Sequence, residues 1–134
     1  MTDWLKQSTS VTVMMGPFRD ATTGNIAQTA LTITQPDIRL SKNGAAWAQK
    51  AAAQTLTHAE AGWYGVVLDA TDTNTLGSLK VSIHESGALV VWDSFMVVTA
   101  NVWDSLFGAD VLTTDVTQWL GTAVTAGTAG VPNV

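Results

Sequence analysis

Two hairpin signals, each set between alternating apolar and polar residues, constrain this chain more than any other feature. The first is Asn43-Gly44, which follows the alternating segment 37–42. A type I′ turn needs positive φ at both central residues, and Asn-Gly meets that need at little steric cost. The second is Ser86-Gly87, between segments 79–84 and 88–93. The pattern predicts two antiparallel hairpins and therefore a fold built from sheets.

A two-residue loop also fixes the register of each hairpin, meaning which residues stand opposite one another. It places Leu40 opposite Trp47 in the first hairpin and Val81 opposite Trp92 in the second. The same registers pair opposite charges on the other face, Asp37 with Lys50 and Lys80 with Asp93. One face of each hairpin is then apolar, and we expect Trp47 and Trp92 to lie in the core.

Further strand-like segments follow along the chain. They are separated by turn-forming residues and lie at 11–15, 31–33 and 63–68. Strands at intervals of roughly 8–15 residues, with no long helical period, predict an all-β fold, a small antiparallel β-sandwich. One helical turn is expected over residues 102–107, with Asn101 as its N-cap and Gly108 at its end.

Composition divides the chain into three parts. Residues 1–10 are expected to form an N-terminal arm, residues 11–108 the sandwich, and residues 109–134 an extended C-terminal tail rich in Thr, Gly and Ala. The tail carries almost no charge, which is typical of a segment without a core of its own. We expect it to be held against the rest of the chain or against a neighbouring copy.

The charge balance argues against two classes of partner. Six Lys and Arg residues against eleven Asp and Glu residues leave a formal charge of −5. Nucleic acid and anionic membrane surfaces both require a basic face, so neither is an expected partner. Charged residues make up 13% of the chain, against about 25% in a typical domain. We therefore expect partner molecules to cover part of the surface.

The sequence contains no cysteine, which excludes disulfides, thiolate metal sites and cysteine nucleophiles. Residues 1–6 include an acid where a signal peptide has basic residues, and no apolar segment of the signal type follows. No apolar run approaches the roughly 20 residues that span a bilayer. We expect synthesis in the cytosol without a signal peptide, and no membrane contact.

No arrangement of residues typical of an enzyme can be assembled. His58 and His84 are the two imidazoles, and Glu85 points to the opposite face of a strand from His84. A Gly-x-Ser-x-Gly elbow is absent, and Ser94 shares a hairpin with His84 but lies on the opposite expected face. We therefore expect no catalytic residues and no cofactor.

Oxygen-bearing side chains cluster in one predicted turn, at Asp69, Asp72 and Asn74. A capped turn explains this cluster, because short Asp and Asn side chains bond to their own backbone. A calcium site at these three residues is the alternative, although Ile83 stands where an EF-hand loop has its bidentate Glu.

Tryptophan is frequent for this length, with six residues, and Trp4, Trp103 and Trp119 lie outside the regular strands. Tryptophan often anchors subunit interfaces, and its flat ring also suits stacking on sugars. We favour subunit contacts, because the carboxylate and amide groups typical of sugar sites cannot be placed nearby. Two apolar residues, Phe107 and Leu120, complete the expected interface.

Several segments resemble a module of tailed-bacteriophage structural proteins. They are IRLSKNG at 38–44, GWYGVVLD at 62–69, LGSLKV at 76–81 and the stretch 85–98. These turn and core residues are similar to the Ig-like N-terminal domains of tail-fibre and baseplate proteins, including the upper baseplate protein type. DVTQWLGTA at 115–123 is similar to short repeats that follow such modules in long fibre proteins.

The resemblance implies an Ig-like sandwich in a non-enzymatic virion structural protein that anchors or connects a tail-fibre or baseplate component. It also implies oligomeric contacts, as a trimer, with copies of the chain itself and with other virion proteins. Residues 109–134 would then begin the fibre repeats. One alternative is a carbohydrate-binding module for host surface glycans, and another is a head-attached fibre or decoration protein.

Overall fold

The computed structural model describes residues 2–108, followed by backbone segments at 118–119, 122–123, 125–128 and 131–133. The first of these ranges contains eight strands: β1 (Thr2–Lys6), β2 (Val11–Met15), β3 (Ile38–Lys42), β4 (Ala48–Gln49), β5 (Thr57–Glu60), β6 (Trp63–Leu68), β7 (Gly77–Ile83) and β8 (Val91–Val98). A 3-10 turn, Gln35–Asp37, precedes β3, and the helix α1 (Ala100–Phe107) follows β8. The predicted all-β fold is confirmed.

These strands form two sheets packed face to face. One sheet has five strands in the order β1-β8-β7-β3-β4, and the other has three in the order β2-β6-β5. Neighbouring strands are antiparallel except for β1, which runs parallel to β8. The orders correspond to the two sheets of an immunoglobulin fold, one with strands G, F and C and one with strands B, E and D. The chain therefore forms a small Ig-like β-sandwich.

The core lies between the inward faces of the two sheets, where alternate residues are apolar. Six of its residues, each at most 1% exposed, come from the two central strands: Leu79, Val81 and Ile83 from β7, and Tyr64, Val66 and Leu68 from β6. Because both central strands are covered on this side, the core is continuous across the sandwich.

Tyr64 also attaches the long connection between β2 and β3 to the core. Its hydroxyl donates to the carbonyl oxygen of Gln28 at 2.8 Å and accepts from the amide of Leu31 at 3.1 Å. Its ring meets that of Phe18 edge-on, with the centroids 5.2 Å apart. This connection is therefore part of the packed structure.

The N-terminal residues form a strand of the sandwich, although the sequence predicts a separate arm over residues 1–10. β1 pairs along its length with residues 94–98 of β8. Leu5 points into the core and is 5% exposed. The amide of Gln7 continues the pairing by donating to Val98 at 2.9 Å. The predicted domain boundary at residue 11 thus separates β1 from the other four strands of its sheet.

The first hairpin has the predicted turn. Asn43 and Gly44 have φ angles of 49° and 81°, both positive as a type I′ turn requires. The ladder then resumes one residue later than predicted, so that Leu40 lies opposite Ala48. The predicted pairing of Leu40 with Trp47 is therefore wrong.

A side-chain hydrogen bond accounts for the shift. The hydroxyl of Ser41 donates to the carbonyl oxygen of Ala45 at 2.7 Å, and residues 45–47 lie outside the ladder. A shift of one residue turns each side chain to the opposite face of a sheet. Trp47 is consequently 48% exposed, so its predicted core position is also wrong.

The second hairpin shifts in the same way. Val81 lies opposite Asp93, so the predicted pairing of Val81 with Trp92 is wrong. After the turn, the amide of Leu89 donates to the carbonyl oxygen of Arg19 at 2.9 Å, which draws this segment away from β7. Trp92 turns outward and is 70% exposed, against the expectation that it lies in the core.

The predicted charge pairs do not form, because both belong to the unshifted registers. The ammonium of Lys50 is buried and donates to the carbonyl oxygen of Ala52 at 2.7 Å, not to Asp37. In the second hairpin, Lys80 lies opposite the residue that follows Asp93.

Helix α1 begins two residues before the predicted helical turn. Thr99 is its N-cap, and the Thr99 hydroxyl accepts from the amide of Val102 at 3.5 Å. The predicted cap, Asn101, lies inside the helix instead. The helix ends before Gly108, as the sequence predicts.

Beyond residue 108, the described backbone consists of two antiparallel pairs. β9 (Gln118–Trp119) pairs with β10 (Thr122–Ala123), and β11 (Thr125–Thr128) pairs with β12 (Val131–Asn133). The described parts of this segment are therefore also built from short strands.

Candidate functional site

Three tryptophans are exposed on the outward side of the five-stranded sheet, which we term the outer face. Trp4 lies on β1, Trp92 on β8, and Trp47 in the segment that precedes β4. The registers of β3, β7 and β8 place seven further side chains on this face: Arg39, Ser41, Ser78, Lys80, Ser82, Ser94 and Met96. The outer face therefore combines large aromatic groups with small polar ones.

A cleft of about 300 Å³ lies between two of these indoles, and we term it the aromatic cleft. It is lined by Trp47, Lys80, Val81, Ser82, Trp92 and Asp93. Ser82 lies directly opposite Trp92 in the ladder, so both side chains share the outer face. Ligand sites in proteins typically combine aromatic walls with a few polar groups, as this cleft does.

Cross-strand contacts hold one wall of the aromatic cleft in place. Arg39 lies opposite Ser82, and its guanidinium donates to the carbonyl oxygen of Trp47 at 3.2 Å. The bond from Ser41 to Ala45 attaches the same segment two residues earlier. Trp47 is therefore exposed but carried on a backbone that is fixed to the sheet.

The outer face is basic in a chain whose formal charge is −5. Arg39 and Lys80 point outward and are exposed. Within the described residues, no Asp or Glu occupies an outward position of β3, β4, β7 or β8. Asp93 has an inward register, and its Oδ1 accepts from the backbone amide of Ser94 at 2.7 Å. The outward positions of these four strands thus carry two cations and no carboxylate, and Asp93 borders the aromatic cleft from an inward register.

A second depression, which we term the helix groove, lies between β1 and α1. It has a volume of about 310 Å³ and is lined by Trp4, Leu5, Lys6, Thr9, Ser10, Val11 and Trp103. The structure therefore brings together Trp4 and Trp103, two of the predicted interface residues.

Lys6 fixes α1 beside this groove. Its ammonium lies 2.9 Å from the carboxylate of Asp104 and 5.8 Å from the centroid of the Trp103 ring. The Trp103 ring packs against Phe107, with the centroids 5.2 Å apart. Phe107 itself is 57% exposed, and its neighbour Leu106 is similarly exposed. The helix thus presents apolar groups to its surroundings.

Two of the predicted interface residues cannot be placed on this surface. The backbone of Trp119 belongs to β9, but its side chain lies outside the described part of the chain. Leu120 lies outside the described residues altogether.

The three residues of the alternative calcium site make internal hydrogen bonds. Asp69 accepts from the amide of Asp72 at 2.9 Å, and the nearly buried Asp72 accepts from the amide of Ala51 at 2.8 Å. Asn74 accepts from the ammonium of Lys42 at 3.0 Å. The bond within the turn, together with the bond from the amide of Asp69 to Asp72 at 3.0 Å, is that of a capped turn, and the other two attach the turn to neighbouring segments. Across the described residues, no group of three His, Cys, Asp or Glu side chains is placed to hold a metal ion.

His58 has a structural environment. Its Nε2 accepts from the amide of Gly62 at 3.0 Å, and its ring meets that of Tyr64 with the centroids 5.3 Å apart. Both contacts lie at the β5–β6 turn. His84 is exposed near the end of β7, away from His58.

Comparisons with protein families, curated proteins and solved structures each found no match. In the described part of the chain, no helix is long and apolar enough to cross a membrane. A fold of this kind supports many functions, so the function must be inferred from the exposed surfaces themselves. Two such surfaces among the described residues are the aromatic cleft and the helix groove.

Proposed function

We propose that this chain is a non-enzymatic structural protein of a tailed-phage virion, where it anchors or connects a tail-fibre or baseplate component. Its partners are copies of itself, arranged as a trimer, and other virion proteins. The Ig-like sandwich and the phage-like segments support this proposal, as does the low charged fraction of 13%. The observation that carries it is the apolar surface around the helix groove.

That surface has the properties of a subunit interface. Trp4 is 46% exposed, and Phe107 and Leu106 are more exposed still. Clusters of exposed apolar groups mark interaction sites in soluble proteins, and tryptophan is a frequent anchor. Such a surface is stable in water when another molecule covers it.

β1 adds a second means of contact at the same place. It is the first strand in the order of the five-stranded sheet, so one side of its backbone faces away from β8. An edge strand offers free N–H and C=O groups to a neighbouring molecule. We infer that a second copy of this chain occupies the surface, because the weakly charged, apolar surface it would bring is of the same kind.

Light scattering on the purified full-length chain tests the assembly. The unchanged protein should form a trimer, and the double variant Trp103→Ala, Phe107→Ser should shift toward monomer while keeping its circular dichroism spectrum. Trp63→Ala is the matched control, because Trp63 is exposed on the other sheet. A monomer at high concentration would contradict the assembly.

Mass spectrometry of purified phage particles tests the virion assignment. The chain should be present in a fixed ratio to the tail proteins. Particles that assemble fully without it would overturn the proposed function.

A further inference from the structure

We propose that the aromatic cleft binds an anionic saccharide, with a sugar ring against the indoles of Trp47 and Trp92 and an acidic substituent at Lys80. This inference concerns a different surface from the helix groove and does not rest on the proposed assembly. It assigns a ligand class to two tryptophans that were predicted to lie in the core and that the structure exposes.

The walls of the aromatic cleft suit a pyranose ring. One face of such a ring presents C–H groups and its rim presents hydroxyls, so it stacks on a flat aromatic surface with its polar groups at the edge. Trp92 is 70% exposed and Trp47 is 48% exposed, which leaves both indoles accessible. The cleft, at about 300 Å³, lies at the lower end of ligand sites, which run to roughly 1,000 Å³. That volume fits a short saccharide segment.

The floor of the cleft supplies hydrogen-bonding groups beside the indoles. Ser82 carries a hydroxyl that can donate and accept, and Lys80 carries an ammonium with three donors. Both residues line the cleft from β7. The ion pair of Lys6 with Asp104 lies in the helix groove, beside α1, and does not involve Lys80. A wholly apolar protein segment would leave these polar groups unsatisfied, which is costly.

The positive charges on the outer face favour an acidic sugar over a neutral one. Lys80 and Arg39 give the outer face two cations, while the chain as a whole is acidic. A carboxylate or phosphate on the sugar would meet Lys80 and form a charge-assisted hydrogen bond. Asp93 also lines the cleft, but its Oδ1 is bonded to the backbone amide of Ser94. Lys80 is therefore the charged residue of the cleft whose strand position faces outward, whereas Asp93 occupies an inward register.

Titration calorimetry with four tetrasaccharides tests this inference. Tetragalacturonate and a hyaluronan tetrasaccharide are the acidic probes, and maltotetraose and chitotetraose are the neutral ones. At least one acidic probe should bind and change the tryptophan fluorescence, with an affinity at least about tenfold higher than that of the neutral probes. No binding by either acidic probe, or equal binding of neutral and acidic probes, would overturn the inference.

Three variants locate the binding site. Trp92→Ala and Trp47→Ala should each weaken binding of the acidic probe at least about tenfold, and Lys80→Gln should remove the preference for acidic over neutral probes. Trp63→Ala is the control, because this indole is exposed on the opposite sheet. Circular dichroism confirms that each variant is folded. Unchanged binding after both cleft tryptophans are replaced would place the ligand elsewhere and refute the proposal.

Discussion

At the scale of single residues, exposure divides the aromatic side chains into two groups with different roles. Phe95 and Tyr64 are each 1% exposed and contribute to the stability of the fold. Trp92 is far more exposed and contributes surface that is free to bind. Large side chains in the second group are expected to serve recognition, because leaving them in water gains nothing for folding.

Replacing Trp92 should therefore have little effect on stability. Trp92→Ala is expected to change the free energy of unfolding by no more than about 0.5 kcal/mol, as for other exposed positions. Phe95→Ala should lower it by about 3–5 kcal/mol, because it leaves a cavity in the core. Urea unfolding followed by circular dichroism measures both. A large loss of stability in Trp92→Ala would contradict the outward orientation of this strand position.

The carboxylate of Asp20, in the loop between β2 and β3, makes the stability of the folded protein depend on pH. The backbone amides of Thr23 and Thr22 donate to its Oδ1 at 3.0 and 2.8 Å and hold the pKa of its carboxyl below the ordinary value. The ionised form is thus favoured in the folded protein. The stabilisation is present above the pKa of the unfolded chain and is lost as the pH falls through the folded pKa.

A carboxyl titration by NMR measures this effect. The pKa of Asp20 should lie below that of an aspartate in a short peptide, and the amide signals of Thr22 and Thr23 should shift with the same midpoint. In Asp20→Asn this acid-induced shift should disappear. An ordinary pKa at Asp20 would show that the two amides do not bond to it in solution.

At the scale of elements, each hairpin shows which information is local and which is not. The turn at Asn43-Gly44 follows from its own two residues, and its φ angles confirm the prediction. The register does not follow from the turn residues. It is set by two further hydrogen bonds: the hydroxyl of Ser41 donates to the carbonyl oxygen of Ala45, and the amide of Leu89 donates to the carbonyl oxygen of Arg19. The second of these partners is remote in sequence, so alternation alone could not reveal it.

Gly44→Val tests the first turn. The φ of Gly44 is +81°, and no atom lies within 4 Å of an added Cβ, so backbone conformation alone decides the effect. We expect a loss of about 1–2 kcal/mol in the free energy of unfolding, the cost of a left-handed conformation for a residue with a side chain. Gly65→Ala is the control, because its added Cβ makes only ordinary contacts. Thermal unfolding should distinguish the two, and equal melting temperatures would contradict the turn.

Leu5→Ala tests whether β1 belongs to the sandwich. Leu5 is 5% exposed on a strand that pairs with β8. Its truncation should cost about 2–5 kcal/mol, as for other core leucines. Asp3→Ala, at an exposed position of the same strand, should cost no more than about 0.5 kcal/mol. A free arm over residues 1–10 would instead make both changes equally harmless.

At the scale of the whole molecule, the fold class was predictable and the location of the proposed binding surface was not. Alternation and turn residues predict a sandwich, because both depend on neighbours in sequence. The aromatic cleft depends on two one-residue shifts, which turn Trp47 and Trp92 from the expected core side of the sheet to its outer face. Of the predicted interface, Trp4 and Trp103 line one groove, since α1 folds back onto β1.

The parallel pairing of β1 with β8 has a mechanical consequence. Thr2 begins one strand of this ladder, and Val98 ends the other, at opposite ends of the paired region. A force that pulls these two residues apart would slide one strand along the other and load all the backbone hydrogen bonds in shear at the same moment. The resistance of a domain to forced unfolding is set by its unfolding rate. Because the β1–β8 hydrogen bonds would have to break together, this pairing would slow unfolding when the chain is pulled.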